Sequence, residues 1–231
     1  MERRRQDRLV RTLATATACR HIMLIVALFS PALVGFHLTA PADESFTGAE
    51  TFTVAGAGET LAADQVDRIF SIVKLHRPDI SDSEAWRIAE VIRVESEKRN
   101  LDPMMVVAVI CVESGFQYTT VSPMGARGIM QIMPATGRFL TERLSDEYEF
   151  HPALFRPESL DDPLLNIRLG VYYLHDLAKQ FRNLNLALLA YNAGPGEIQN
   201  RLTNNLEFSH DYATLVLDTY QRYKTSPAAA F

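Results

Sequence analysis

Apolar residues recur along this chain at helical spacing, broken at regular intervals by turn chemistry. Val66, Ile69, Phe70 and Val73 predict a helix that Pro78 ends. Ser81-Asp82-Ser83-Glu84 reads as a capping box, followed by the stripe Ala85, Ile88, Ala89 and Ile92 up to Asn100. Met104 to Val112 differs from both because it is apolar all round, which predicts a helix buried on every side. Asp102-Pro103 opens it and Ser114-Gly115 closes it, the former by a side-chain cap and preset φ, the latter by a left-handed exit. From Gly115 to Pro134 turn residues dominate, and Gly128-Ile129-Met130-Gln131-Ile132 is short enough for a small strand or hairpin arm. A helix follows from Pro134 to about Leu144, then a loop over His151 to Pro157. Asp162-Pro163 repeats the earlier cap before a helix that carries Leu164, Ile167, Leu169, Tyr172, Tyr173 and Leu177 to about Phe181. Asn183 to Asn185 reads as a break, and Leu186 to Tyr191 as a short buried helix stopped by Asn192-Ala193-Gly194-Pro195-Gly196. A last helix runs from about His210 to Lys224. Six to eight helices with one small extended element make a mainly α domain of ordinary single-domain size.

The first 42 residues depart from this pattern. They hold six Arg against Glu2 and Asp7, then the apolar core Ile22 to Phe29 and the small-residue site Ala40-Pro41-Ala42. The core is short for a membrane-spanning helix, so a leader directing export to the periplasm is expected over 1–42, with an uncleaved membrane anchor as the alternative. No Cys follows it to take a lipid. Residues 43–60, rich in Gly, Ala, Thr and Glu, read as a flexible linker, and the folded domain is expected over 61–231.

Charge narrows the partners. The first 42 residues are net +4 within an overall −5, so the body carries −9, which argues against nucleic acid. Cys19 lies before the apolar leader and Cys111 inside the buried helix, and without a His or cationic neighbour in its run Cys111 reads as inert core. The histidines, His151 and His175 among them, lack metal-ligand spacing; no metal or nucleotide motif occurs, and no cofactor is expected.

Glu113 ends the buried helix, and that position has a chemical consequence. Desolvation and the negative end of the helix dipole both disfavour its ionised form, the condition a general acid near neutral pH needs. A second reading has it capping the helix or pairing with a cation such as Arg127. Two other segments also set polar groups at the edge of an apolar run: Gly128-Ile129-Met130-Gln131 and Ala190-Tyr191-Asn192-Ala193-Gly194. Each alone could be a cap or turn.

In their order and spacing these pieces resemble the catalytic domain of the soluble lytic transglycosylases, whose fold is similar to goose-type lysozyme. The resemblance runs from about Ile69 to Tyr223. It takes in Glu113-Ser114 with Gly115 and Phe116, the stretch from Ser122-Pro123 through Gly128-Ile129-Met130-Gln131 to Pro134 and Thr136, Asn166-Ile167 with Gly170 and Tyr173-Leu174, and Ala190-Tyr191-Asn192-Ala193-Gly194. It implies cleavage of the β-1,4 bond between N-acetylmuramic acid and N-acetylglucosamine in peptidoglycan, with the muramoyl C6 hydroxyl rather than water as acceptor. One Glu, matched by Glu113, would act as acid and then base, so the second carboxylate of most glycosidases is not required. The same resemblance implies that Ser114 helps place Glu113, that Met130 and Gln131 line the glycan groove, that Tyr191 orients Glu113 or meets the sugar, and that Asn192 binds an N-acetyl group. Towards the C-terminus the family often has an acidic-Thr-Arg-x-Tyr-Val signature. This chain reads Ser209-His210-Asp211-Tyr212-Ala213, a departure that leaves Tyr212 with little weight. Two alternatives stay open: a hydrolytic muramidase of the same fold, which would leave reducing ends, and a non-catalytic peptidoglycan-binding or scaffold protein, which would not need the carboxylic acid.

Overall fold

A helix with no polar face must be covered on all sides, and the architecture is built around meeting that demand. The computed structural model describes residues 55–148 and 150–225. Their eight α-helices are α1 Ala55–His76, α2 Asp82–Lys98, α3 Pro103–Ser114, α4 Pro134–Arg143, α5 Pro163–Phe181, α6 Leu184–Ala193, α7 Pro195–Thr203 and α8 Asp211–Thr225. Every residue of α3 from Pro103 to Val112 is buried. The elements close a circuit of which it is one link: α3 packs on α8, α8 on α6, α6 on α5, α5 on α2, and α2 back on α3, with α1 laid against α2. None of the described helices is long and apolar enough to cross a membrane.

The ends of α3 form as its sequence dictates. Asp102 accepts from the backbone N–H of Met104, Pro103 takes the first turn, and Gly115 at φ 58° closes the helix with its N–H on the Cys111 carbonyl. Asp162 caps α5 in the same manner, accepting from Leu164 and Leu165.

Several expectations need correction. No strand forms among the described residues; the extended element is two isolated bridges, Val121 with Arg127 and Arg127 with Ile132. The loop folds back too tightly for a ladder, with positive φ at Gly125, Gly128 and Gln131. The capping box is only half made. Ser81 accepts from the Glu84 N–H, but the Glu84 carboxylate turns away to accept from the Tyr118 hydroxyl at 2.6 Å. The expected loop over His151 to Pro157 contains a 3-10 turn, Pro152–Leu154, and a second turn, Pro157–Asp161, follows it. Asn183 is a cap rather than part of a break, accepting from Leu186 and starting α6 two residues early. Gly194-Pro195-Gly196 stops α6 and at once starts α7, because Pro195 sits at a first helical position where its missing N–H costs nothing. Helix α1 begins at Ala55, inside the stretch read as linker. The expected leader over 1–42 and the rest of that linker lie outside the described residues.

Candidate active site

The site forms where the end of α3 meets the 120–132 loop, the end of α6 and the start of α8. Ser114, one residue beyond Glu113, donates to the Ile129 carbonyl at 2.7 Å and so ties the helix end to the loop. Tyr191, buried in the last turns of α6, donates to the next carbonyl, Met130, at 2.8 Å. Its ring lies 5.4 Å from that of Tyr173 on α5. The three segments singled out in the sequence therefore converge.

Glu113 keeps part of its surface open to solvent. Its carboxyl accepts a hydrogen bond of 2.6 Å from the Tyr212 hydroxyl. Burial pushes it up to about 7, against the opposing pull of that bond, and no described cation or second carboxylate contributes. Arg127 does not neutralise it: the guanidinium is spent on Asp161 at 2.7 Å, with Glu158 at 3.8 Å. Burial, reinforced by the nearby Glu113, pushes the phenols of Tyr191 and Tyr212 well above their ordinary range. Both stay protonated at neutral pH, and both stay donors. The arrangement is a protonatable acid among neutral dipoles, able to give up a proton and take one back near pH 7.

The residues carried over from the resemblance fare differently in detail. Tyr191 does not bond Glu113; it supports the loop carbonyl, and the contact expected of it is made by Tyr212, 99 residues along the chain from Glu113. Met130 cannot line a groove with its side chain. That side chain is fully buried against Gly170, where an added Cβ would come within 2.5 Å of the Met130 sulfur. Its backbone carbonyl does the work at the site instead. Gln131 is half-buried, and its amide nitrogen is used on the Thr120 and Gly128 carbonyls at 3.1 and 2.9 Å. Asn192 is half-buried in the last turn of α6, ahead of the actual cap at Gly194.

Two contributors were not assigned from the sequence. Tyr212 carries little weight in the sequence because its surroundings depart from the family signature; the signal is the tyrosine itself, opening the helix that packs on α3. Asn166 is fully buried on α5, accepting from the Met130 N–H at 2.8 Å and donating to the carbonyls of Arg127 at 2.9 Å and Leu160 at 2.8 Å. An amide set among Leu164, Leu165 and Ile167, four residues before a glycine, is the mark the sequence offers. No group of three or more His, Cys, Asp or Glu able to hold a metal occurs among the described residues. Cys111 does have a His neighbour, brought by the fold rather than the sequence: His76 Nε2 lies 3.9 Å from its sulfur, and the Tyr223 hydroxyl 3.4 Å. The thiol is buried, and burial pushes His76 down to about 4, so the imidazole is neutral and does not activate it.

Known proteins share this arrangement of chain. The sequence is 37% identical over 100 residues, 43% of its length, to the soluble lytic murein transglycosylase of Escherichia coli strain K12, and the match spans 15% of that longer protein. It is 34% identical over 108 residues, 47% of its length, to the transglycosylase of Enterobacteria phage PRD1, and covers 35% of it. The structure superimposes on the 70 kDa soluble lytic transglycosylase in complex with bulgecin A with a TM-score of 0.53 at 24% identity, over 75% of this chain and 32% of that one, a likeness of fold. The family described as the transglycosylase SLT domain matches residues 90–213, from the middle of α2 through Tyr212 to Ala213, more than half of the chain. The protein therefore belongs to the transglycosylase SLT domain family.

Proposed function

We propose that this protein is a lytic transglycosylase that cleaves the β-1,4 bond between N-acetylmuramic acid and N-acetylglucosamine in peptidoglycan. The observation that carries the reading is Glu113: a carboxyl held near neutral pKa by burial, bonded to one phenol, with no second acid acting on it among the described residues. An enzyme that activates water on the far side of the sugar needs a second base, whereas one that uses the sugar's own hydroxyl does not. Glu113 as the acid protonates the glycosidic oxygen while the C1–O bond breaks. The resulting carboxylate takes the proton of the muramoyl C6 hydroxyl as that oxygen bonds to C1, closing the 1,6-anhydro ring and restoring the acid. Stabilisation of the oxocarbenium-like state falls to neutral dipoles and the substrate's own N-acetyl group. Tyr212 orients Glu113, Ser114 and Tyr191 hold the loop, and Gln131 Oε1 and Asn192 meet the sugar. The Arg-rich start and short apolar run of residues 1–42 support export to the periplasm, cleaved or anchored, with the catalytic domain following the linker.

Purified peptidoglycan digested with the full chain is expected to release muropeptides one water lighter than their reducing-end counterparts. Glu113→Gln should cut that release by about a thousandfold, since one group supplies both proton transfers. Reducing ends instead would make the protein a hydrolytic muramidase. No release by the wild-type chain, with binding to sacculi the same in Glu113→Gln, would make it a binding or scaffold protein, and undiminished release by the variant would show that Glu113 is not the acid.

A further inference from the structure

We propose that Asn166 is the positioning residue of this site, its amide setting the backbone of the 127–131 loop so that successive carbonyls face Ser114 and Tyr191. Its bonds use both donors and the acceptor oxygen: Oδ1 accepts from the Met130 N–H, and the two Nδ2 hydrogens go to the carbonyls of Arg127 and Leu160. No other side chain of this size offers two donors and one acceptor in a plane. The loop is shaped to receive it. Gly128 sits at φ 82°, and a Cβ there would lie 2.1 Å from both the Asn166 Nδ2 and the Leu160 carbonyl, so the missing side chain of one residue is the space filled by the other.

One face of α5 extends this grip. Gly170, one turn after Asn166, seats the Met130 side chain, and Tyr173, nearly one turn further, meets the Tyr191 ring. Asn166 thus holds the loop backbone between two fixed points, and the carbonyls on either side of its Met130 bond are the two that Ser114 and Tyr191 take. Loss of the amide would free the loop relative to Glu113 while the hydrophobic circuit through α3 stayed closed. The effect on turnover rests on Glu113 being the catalytic acid; the effect on the loop does not.

The test compares the full-length chain with Asn166→Asp, reading amide hydrogen exchange residue by residue, kcat and KM on purified peptidoglycan, and thermal unfolding. A carboxylate at this position would face two carbonyl oxygens. Exchange of the Met130 amide should then rise by at least about tenfold while the core amides of α2 and α5 change little. Activity well below the melting temperature should fall by about ten- to a hundredfold, mainly in kcat, as expected for a misplaced reacting geometry. Acidification should restore part of the loss relative to the wild-type protein at the same pH, because a protonated Asp regains one donor. If Asn166→Asp does not fold, Asn166→Ser, which keeps one donor and removes the repulsion, gives the same readings. Met130 exchange within about twofold of wild type in a folded variant overturns the proposal, as does a loosened loop with unchanged kcat. Should the wild-type chain and Glu113→Gln be equally inactive, the reading of Glu113 fails, and Met130 exchange by itself then decides whether Asn166 sets the loop.

Discussion

Helix α3 carries a carboxylate at each end, and helix α8, running antiparallel beside it, offers a tyrosine to each. At the N-terminal end Asp102 accepts from Tyr220 at 2.7 Å; at the C-terminal end Glu113 accepts from Tyr212 at 2.6 Å. The local hydrogen bond is nearly the same, but the ionisation is opposite. Burial pushes Asp102 up, yet Tyr220, the Met104 N–H and Lys224 together outweigh it, and the carboxyl titrates below its ordinary value. Burial also pushes Glu113 up, and there Tyr212 stands alone against it, leaving the group at about 7. A phenol does not decide a carboxylate's charge by itself. Burial decides it against the partners that favour the charged form: a backbone N–H and a cation act at Asp102 and neither acts at Glu113.

The strongest way to break this comparison is to remove the charge of the elevated member. Unfolded Glu takes up its proton near 4.5 and folded Glu113 near 7, so between these values the fold holds more protons than the unfolded chain, and stability falls as pH rises through that window. Glu113→Gln should therefore be more stable than wild type at pH 8 by up to about 3 kcal/mol and nearly equal to it at pH 4.5, measured by denaturant unfolding at both. A difference that does not change with pH would show that Glu113 is not held protonated. A smaller effect is expected from Tyr212→Phe, which deletes the one bond favouring the carboxylate. The alkaline limb of the kcat/KM profile should move to higher pH, and the maximal rate should drop by about tenfold as Glu113 loses its orientation. A limb that stays in place would make some other group the titrating acid.

The least effect belongs to the opposite end. Asp102→Ala removes a cap and its contacts with Tyr220 and Lys224, and should cost about 1 to 2 kcal/mol at pH 7. A carboxyl with a lowered folded pKa stabilises above its unfolded value, near 3.8, and loses that contribution as pH falls through the folded one. The difference between wild type and Asp102→Ala should shrink accordingly towards pH 2. Peptidoglycan release by the folded variant should stay close to wild type; a collapse of activity would mean that the two ends are not independent.

Features that depend on neighbouring residues were readable before the fold was known. Asp102-Pro103 and Gly115 define α3 through bonds spanning two to four residues, and the unbroken apolar run between them forecasts full burial. Features that depend on which helices meet were less so. Tyr212 reaches Glu113 only because α8 lies along α3, and no local pattern at 209–213 encodes that. Met130 departs from expectation for a related reason: adjacency to Gln131 suggests a shared face, but the backbone at Gln131 is left-handed, φ 51°, and the methionine packs inward on Gly170. Helix α7 was hidden because Gly-Pro-Gly signals a stop, while Pro195 is equally suited to a start. His76 and Cys111 are 35 positions apart, so only the tertiary packing of α1 on the core reveals that they are neighbours.

The all-apolar character of α3 ties the forming of the site to the forming of the fold. An isolated segment of this kind has no wet side and no reason to persist until its coverings arrive. The covering supplied by α8 is also the one that brings the hydroxyl of Tyr212, so shelter for the scaffold and alignment of its acid come in one step. A chain still short of α8 lacks that phenol, and on the reading proposed above its acid is not yet aligned.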